Sequence, residues 1–402
     1  MGAKVQRKND TRKYYNILYV FNKTFLFVWL LGFFFVLLHA VIKTLLLTIM
    51  NFIRRIVQLL MIAVAIQAWG GSRCLLVKAG DVQSLVRAIA LADSLNADTL
   101  SNRLFILIPN GFYDLGETAL TPILGHNVAL IGESMEGTVI RNAPPVEHEG
   151  ISTTATILNR GVNTYVQDLT LKNDLDYYHS GPAGRAVCWQ DKGNRVMFKR
   201  VRMLSYQDTY YSHSEECQHY FEESEIHGTV DFLCGAGDVF FNRCLIVTEK
   251  READGRGCNV IVAPRTSTTE WGYVFDGCTI RNDVSTFHFA RGWHTHPRCV
   301  WLNTILESPE KLEPERFDPQ SIRSPECEFG EYGTTDLKGI LLTPAVNNVH
   351  IVGSEGEKDV QTTLTKERAQ RFTLRNVFPN WKPDKQVRRL EKKAMQLKRK
   401  YL

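Results

Sequence analysis

The sequence predicts an all-β chain wound as a right-handed parallel β-helix, a solenoid with a capping helix before it and a second helix after it. Three observations predict it. From about residue 128 the body is built of short β-rich runs bounded by polar and glycine turns. One short unit recurs: an apolar or aromatic residue, two polar ones, a small or branched one, then an apolar one. It reads "VQDLTL" from Val166, "FKRVRM" from Phe198, "FEESEI" from Phe221, "FNRCLI" from Phe241, "FDGCTI" from Phe275 and "WLNTIL" from Trp301. The steps between units are 32, 23, 20, 34 and 26 residues. That irregular period fits one strand per coil better than the turn spacing of about 8–12 residues expected of a β-sandwich. Finally, helical periodicity is confined to the two ends of the body.

The elements follow in chain order. "TFLFVWLLGFFFVLLHAVI" at 24–42 is long enough for a membrane helix. From Met50, Arg54 and Arg55 precede the apolar run Ile56–Ile66 and then small residues, the layout of a secretory signal peptide. We read 1–49 as an upstream extension or membrane segment, 50–73 as a signal peptide, 74–380 as the β-helix and 381–402 as a basic helix. The body is then exported to the periplasm, the cell surface or the medium, with anchoring through 24–42 as the alternative. Residues 76–100 read as a strand and an amphipathic helix, with Val82, Leu85, Val86, Ile89 and Leu91 on or near one face to cap the open coil. The closing stretch "DKQVRRLEKKAMQLKRKYL" reads as a helix with Val387, Leu390, Ala394 and Leu397 inward, covering the other terminal edge.

Charge and cysteine bound the function. The net +5 conceals +9 in residues 1–73, −11 in 74–381 and +7 in 382–402. An acidic body argues against a nucleic-acid groove, so no nucleic-acid partner is expected. The basic tail reads as a solvated helix face. Nine cysteines without a CxxC give no support to a zinc ribbon or redox motif. Cys188, Cys234, Cys244 and Cys278 lie in apolar runs and read as buried small hydrophobes, with one or two disulfides left open.

The candidate site comes from register. Asp208 lies ten residues after Phe198, and Asp231 ten after Phe221. Counting backward, Asp231, Arg265 and Arg291 each lie ten before Phe241, Phe275 and Trp301. The counts predict one column of charge: Asp208, Asp231, Arg265, Arg291. Two close carboxylates cannot both ionise freely, and a nearby arginine keeps one of them charged. That separates an acid from a base or nucleophile within one residue type. Gln207 adds an amide donor, and Trp293 a flat apolar face. On spacing alone, a ladder of ion pairs on a solvated sheet face accounts for the column equally well.

At these same residues the chain resembles the pectinesterases, the pectin methylesterase family of carbohydrate esterases, in its bacterial type. "SYQDTYY" (205–211) is similar to that family's Gly-Tyr-Gln-Asp-Thr-Leu segment, "GTVDFLCG" (228–235) to its Gly-Thr-Val-Asp-Phe-Ile-Phe-Gly segment and "ARGW" (290–293) to its Leu-Gly-Arg-Pro-Trp segment. The resemblance implies a pectin-lyase-like β-helix acting on pectin as a monomer, with no metal or organic cofactor. It implies that Asp231 is the nucleophile, that Asp208 is the general acid and then base, that Gln207 helps form the oxyanion hole, and that Arg291 orients Asp231. Trp293, Phe232, Arg185 and Arg265 would face the substrate. Arg185, in "RAVCW", stands where the family has a second oxyanion glutamine, and Gln190, five residues on, would point to the opposite face. Two other readings stay open: a non-catalytic polysaccharide-binding β-helix, and a calcium-dependent pectate lyase, which would need more clustered carboxylates.

Overall fold

The recurring units are strands of successive coils, stacked in the register that their spacing implies. In the computed structural model of the chain, Val166 pairs with Phe198, Phe198 with Phe221, Phe221 with Phe241, Phe241 with Phe275 and Phe275 with Trp301, all in parallel. The structure describes residues 31, 34, 37–39, 41–50, 73–118, 121–181, 184–282, 285–293, 296–318, 326–353 and 356–402. They belong to two units, Met1–Ser72 and Arg73–Leu402. The described residues of the first unit are helical. Among the described residues no helix is long and apolar enough to cross a membrane. The expected span at 24–42 and leader at 50–73 fall largely outside the described residues.

The second unit carries three parallel ladders. The first runs from Cys74–Leu76 to Glu328–Tyr332, the second from Gly111–Asp114 to Thr335–Asp336 and the third from Thr121–Ile123 to Phe317–Asp318. A single left-handed residue turns the chain from the first ladder to the second. Asp168, Arg200, Glu223, Arg243 and Asn303 hold φ between 49 and 54°, and Gly277 and Gly333 take this role in their coils.

Alternation sends every second side chain inward. Phe198, Phe221, Phe241, Phe275 and Trp301 stack along the coil axis at ring separations of 4.2, 4.6, 4.4 and 3.8 Å. Burying each ring contributes roughly 1.5–3 kcal/mol, and stacking about 0.5–1.5 more. All nine cysteines are free thiols, and seven of them are buried.

Both ends of the coil are closed. The helix Val82–Leu95 is capped by Asp81, whose carboxylate accepts from the Ser84 amide at 2.9 Å. It buries Leu85, Ala88, Ile89 and Ala92 against the first strands. Val86 is exposed instead, because two alanines let the helix seat closely on a narrower stripe. The far end is closed by an antiparallel hairpin, Asn348–Gly353 with Gly356–Gln361, which puts Val349 and Ile351 into the interior core. The C-terminal helix Pro383–Tyr401 buries Val387, Leu390, Ala394 and Leu397, but it does not cover a terminal edge. It lies on the outer face of the first ladder, against Tyr165, Met197, Tyr220 and Phe240. Those outward residues are apolar and need a cover, which the helix supplies. Arg200–Glu391 and Lys398–Asp168 ion pairs fix it there.

Candidate active site

Asp208 and Asp231 sit at the corner between the second and third ladders, on adjacent coils. Tyr210 pairs with Leu233, so a step of 23 residues carries Asp208 onto Asp231. Both are left-handed, with φ of 59 and 53°. That conformation costs a non-glycine residue about 1–2 kcal/mol. Both are also buried, 5% and 7% exposed. Two carboxylates placed at desolvated, strained corners are costly on both counts, and such outliers gather where chemistry is done. Gly228 allows the close approach: a Cβ there would lie 2.2 Å from the Phe232 Cβ and 2.5 Å from the Tyr206 carbonyl oxygen.

The two carboxyls have different surroundings. Arg291, at the end of strand Thr286–Arg291, donates to one Asp231 oxygen, Oδ2. The other, Oδ1, is buried and has no hydrogen-bond partner among the described residues. Burial raises the Asp231 pKa from its ordinary value, and the Arg291 charge opposes that rise. Burial, then the Asp231 charge, pushes Asp208 up to about 8. The Arg185 and Arg291 charges and the Cys234 thiol, which donates to Asp208, pull the other way. At neutral pH Asp208 therefore carries a proton. Asp231, in direct contact with a guanidinium, is the one that ionises.

Gln207 is half-buried beside Asp208, and Arg185 bridges to it in parallel from the preceding coil. Trp293 is 44% exposed, with the Arg265 guanidinium 5.9 Å from its ring and Tyr211 at 6.4 Å. Two expectations need correction. Neither Arg265 nor Arg291 shares a column with Asp231, although the Arg291 side chain reaches back to it. Leu233 pairs with Val262 and Val262 with Ala290, which sets Arg291 beside Ala263 and carries Arg265 toward Trp293. The cause is a longer return loop: eleven residues lead from Pro264 to the marker Phe275, where six lead from its partner Gly235 to Phe241. Arg265 instead donates to the His213 carbonyl at 2.8 Å. Phe232 does not face substrate: it is fully buried in the coil interior. The left-handed turn at Asp231 breaks the alternation and sends its neighbour inward.

A profile of the pectinesterase family matches residues 76–319, more than half of the chain. The chain belongs to the pectinesterase family. It is 26% identical over 276 residues to probable pectinesterase 49 of Arabidopsis thaliana, covering 66% of this chain and 72% of that one. It is 28% identical over 240 residues to pectinesterase 3 of Solanum lycopersicum, covering 57% of this chain but only 41% of that one. The pectin methylesterase PemA of Erwinia chrysanthemi superposes with a TM-score of 0.59 at 22% identity, covering 78% of this chain and 98% of the other. At that identity the likeness speaks for the fold.

Against the pectinesterase pattern, register counting missed several neighbours of the site. Glu149 takes both the Arg185 backbone N–H, at 3.1 Å, and its guanidinium, with Nη2 at 3.0 Å. The pair largely cancels the positive charge that Arg185 brings. Its only sequence signal is a 36-residue separation, close to one coil. Cys234 touches Asp208 from three residues beyond Asp231. Gln190 pairs with Tyr211, which pairs with Cys234, so it shares their outward face rather than pointing away. Alternation counted from Arg185 failed because Cys188 and Trp189 both turn into the interior, and both amides bond the Thr209 carbonyl. Among the described residues no group of three or more His, Cys, Asp or Glu could hold a metal ion. His294 lies outside the described residues.

Proposed function

We propose that the chain hydrolyses the methyl esters of galacturonate units in pectin, releasing methanol and leaving de-esterified pectin. One observation carries this reading: an Asp231 carboxylate with one oxygen held by Arg291 and the other bare, one coil away from a carboxyl that keeps its proton at neutral pH. Asp231 Oδ1 attacks the ester carbonyl carbon. Gln207 and Arg185 donate to the oxyanion. As the tetrahedral species collapses, the C–OCH3 bond breaks and Asp208 gives its proton to the departing methoxide. A galacturonyl–Asp231 anhydride remains. Asp208, now a carboxylate, takes a proton from water, whose oxygen opens the anhydride and frees Asp231. Trp293 supplies a face for the sugar ring, with Arg265 beside it. The acidic body favours methylated, neutral stretches of substrate. We place the activity outside the cell, where pectin is found.

Hydroxylamine tests the covalent step. It should divert the anhydride to a galacturonyl hydroxamate without slowing methanol release, and Asp231→Asn should give neither product. Hydroxamate in the Asp231→Asn variant, or none in an active parent, would remove Asp231 from the nucleophile's role.

A further inference from the structure

The C-terminal helix presents a row of cations that the fold does not use. Its 19 residues span about 28 Å. Lys385, Arg389, Lys392 and Arg399 recur at helical spacing, opposite the buried Val387, Leu390, Ala394 and Leu397. All four are exposed, and none forms an ion pair among the described residues. The helix's own acids are otherwise engaged: Glu391 binds Arg200, and Asp384 lies 3.2 Å from Arg388. Arg103, beside the start of the coil, adds to the field near Arg389 rather than offsetting it. Residues 382–402 hold nine Lys and Arg against two acids, on a body that is net negative.

We propose that this ridge docks de-esterified, polyanionic galacturonan, the product of the chain's own proposed reaction; the inference rests on that reading. Charge complementarity selects the partner class. A bilayer is disfavoured, because an interfacial helix must bury an apolar face in the lipid, and this helix has already spent that face on the coil. Single-stranded nucleic acid would call for aromatic stacking platforms along the groove, and the four-residue ridge has none. The ridge lies over the first ladder, whereas the carboxylates open from the corner leading into the third. A pectin chain could thus be held by a stretch already de-esterified while an esterified stretch occupies the site.

The test uses the full chain and the variant K385Q/R389Q/K392Q/R399Q, with circular dichroism and thermal melting to show that both fold alike. Binding is measured to immobilised polygalacturonate, to fully methyl-esterified pectin, to phosphatidylserine-containing vesicles and to duplex DNA. The parent should bind polygalacturonate at least about tenfold more tightly than the variant at low salt, and the gap should close by about 0.5 M salt. The kcat/KM of the variant on a short, fully methylated oligogalacturonate should equal that of the parent. Equal binding by parent and variant would overturn the proposal, as would a loss of vesicle or DNA binding in the variant as large as its loss of polygalacturonate binding. Ridge-dependent binding without methanol release would sink the esterase reading alone, and methanol release without ridge-dependent binding would sink the docking proposal alone.

Discussion

Replacing Arg291 with glutamine removes the only hydrogen-bond partner that the Asp231 side chain has among the described residues, since Oδ1 has none among them. Removing one member of a buried ion pair costs about 3–5 kcal/mol. Here the Asp231 side chain is 10% exposed but that of Arg291 is 38% exposed, so water already screens part of the attraction. We therefore take about 2 kcal/mol, which lowers kcat/KM about 30-fold at 1.36 kcal/mol per factor of ten. The pH profile gives the sharper signature. The Arg291 charge lowers the pKa of both Asp231 and Asp208. Without it both rise. The acid limb, which needs Asp231 ionised, and the alkaline limb, which needs Asp208 protonated, should both move to higher pH. Methanol release from methylated pectin, followed across pH with circular dichroism as the fold control, reads both limbs. A uniform loss with unmoved limbs would mean that Arg291 only shapes the site, and an unchanged rate would refute the pairing argument.

Other outcomes follow from the same geometry. With Asp208 raised from 3.8 to about 8 in the fold, its contribution to stability is fully present below pH 3.8 and is lost as pH rises through about 8. Asp208→Asn should therefore gain melting temperature relative to the parent as pH rises from 4 to about 9; a constant difference would contradict the shift. Parent activity should fall above about pH 8 as Asp208 loses its proton. Gly228→Ala would press on the Tyr206 carbonyl and the Phe232 side chain, so activity should collapse together with a lower melting temperature; a fully active, stable variant would show that the corner is looser than its contacts suggest. Phe241→Ala, in the middle of the aromatic stack, should cost about 3–5 kcal/mol in denaturant unfolding, and a loss below about 1 kcal/mol would mean that the stack is not cohesive.

The stacking register was legible because interior positions tolerate only apolar side chains, so Phe198, Phe221, Phe241, Phe275 and Trp301 mark each coil whatever the loop lengths. The Asp208–Asp231 match was legible for the same reason: no insertion separates either aspartate from its marker. Counting back across the loops failed for Arg265, because the loop from Pro264 to Phe275 is longer than the loop from its partner Gly235 to Phe241. Phe232 was misread because a left-handed residue before it resets the alternation. The C-terminal helix showed which of its faces is apolar, but a helical pattern does not say what that face meets. The hairpin closing the far end was missed, since Asn348–Gln361 carries many polar residues and only Val349 and Ile351 reach the core. Glu149 could not be tied to Arg185 from sequence, because their contact depends on how a loop folds back.

The most direct test of the central claim is methanol release from highly methylated pectin by the full chain, measured beside Asp231→Asn and with chelator present. The parent should release methanol steadily, a folded Asp231→Asn variant should release none above background, and chelator should have no effect. Release that survives in Asp231→Asn, or unsaturated products that chelator abolishes, would contradict that claim.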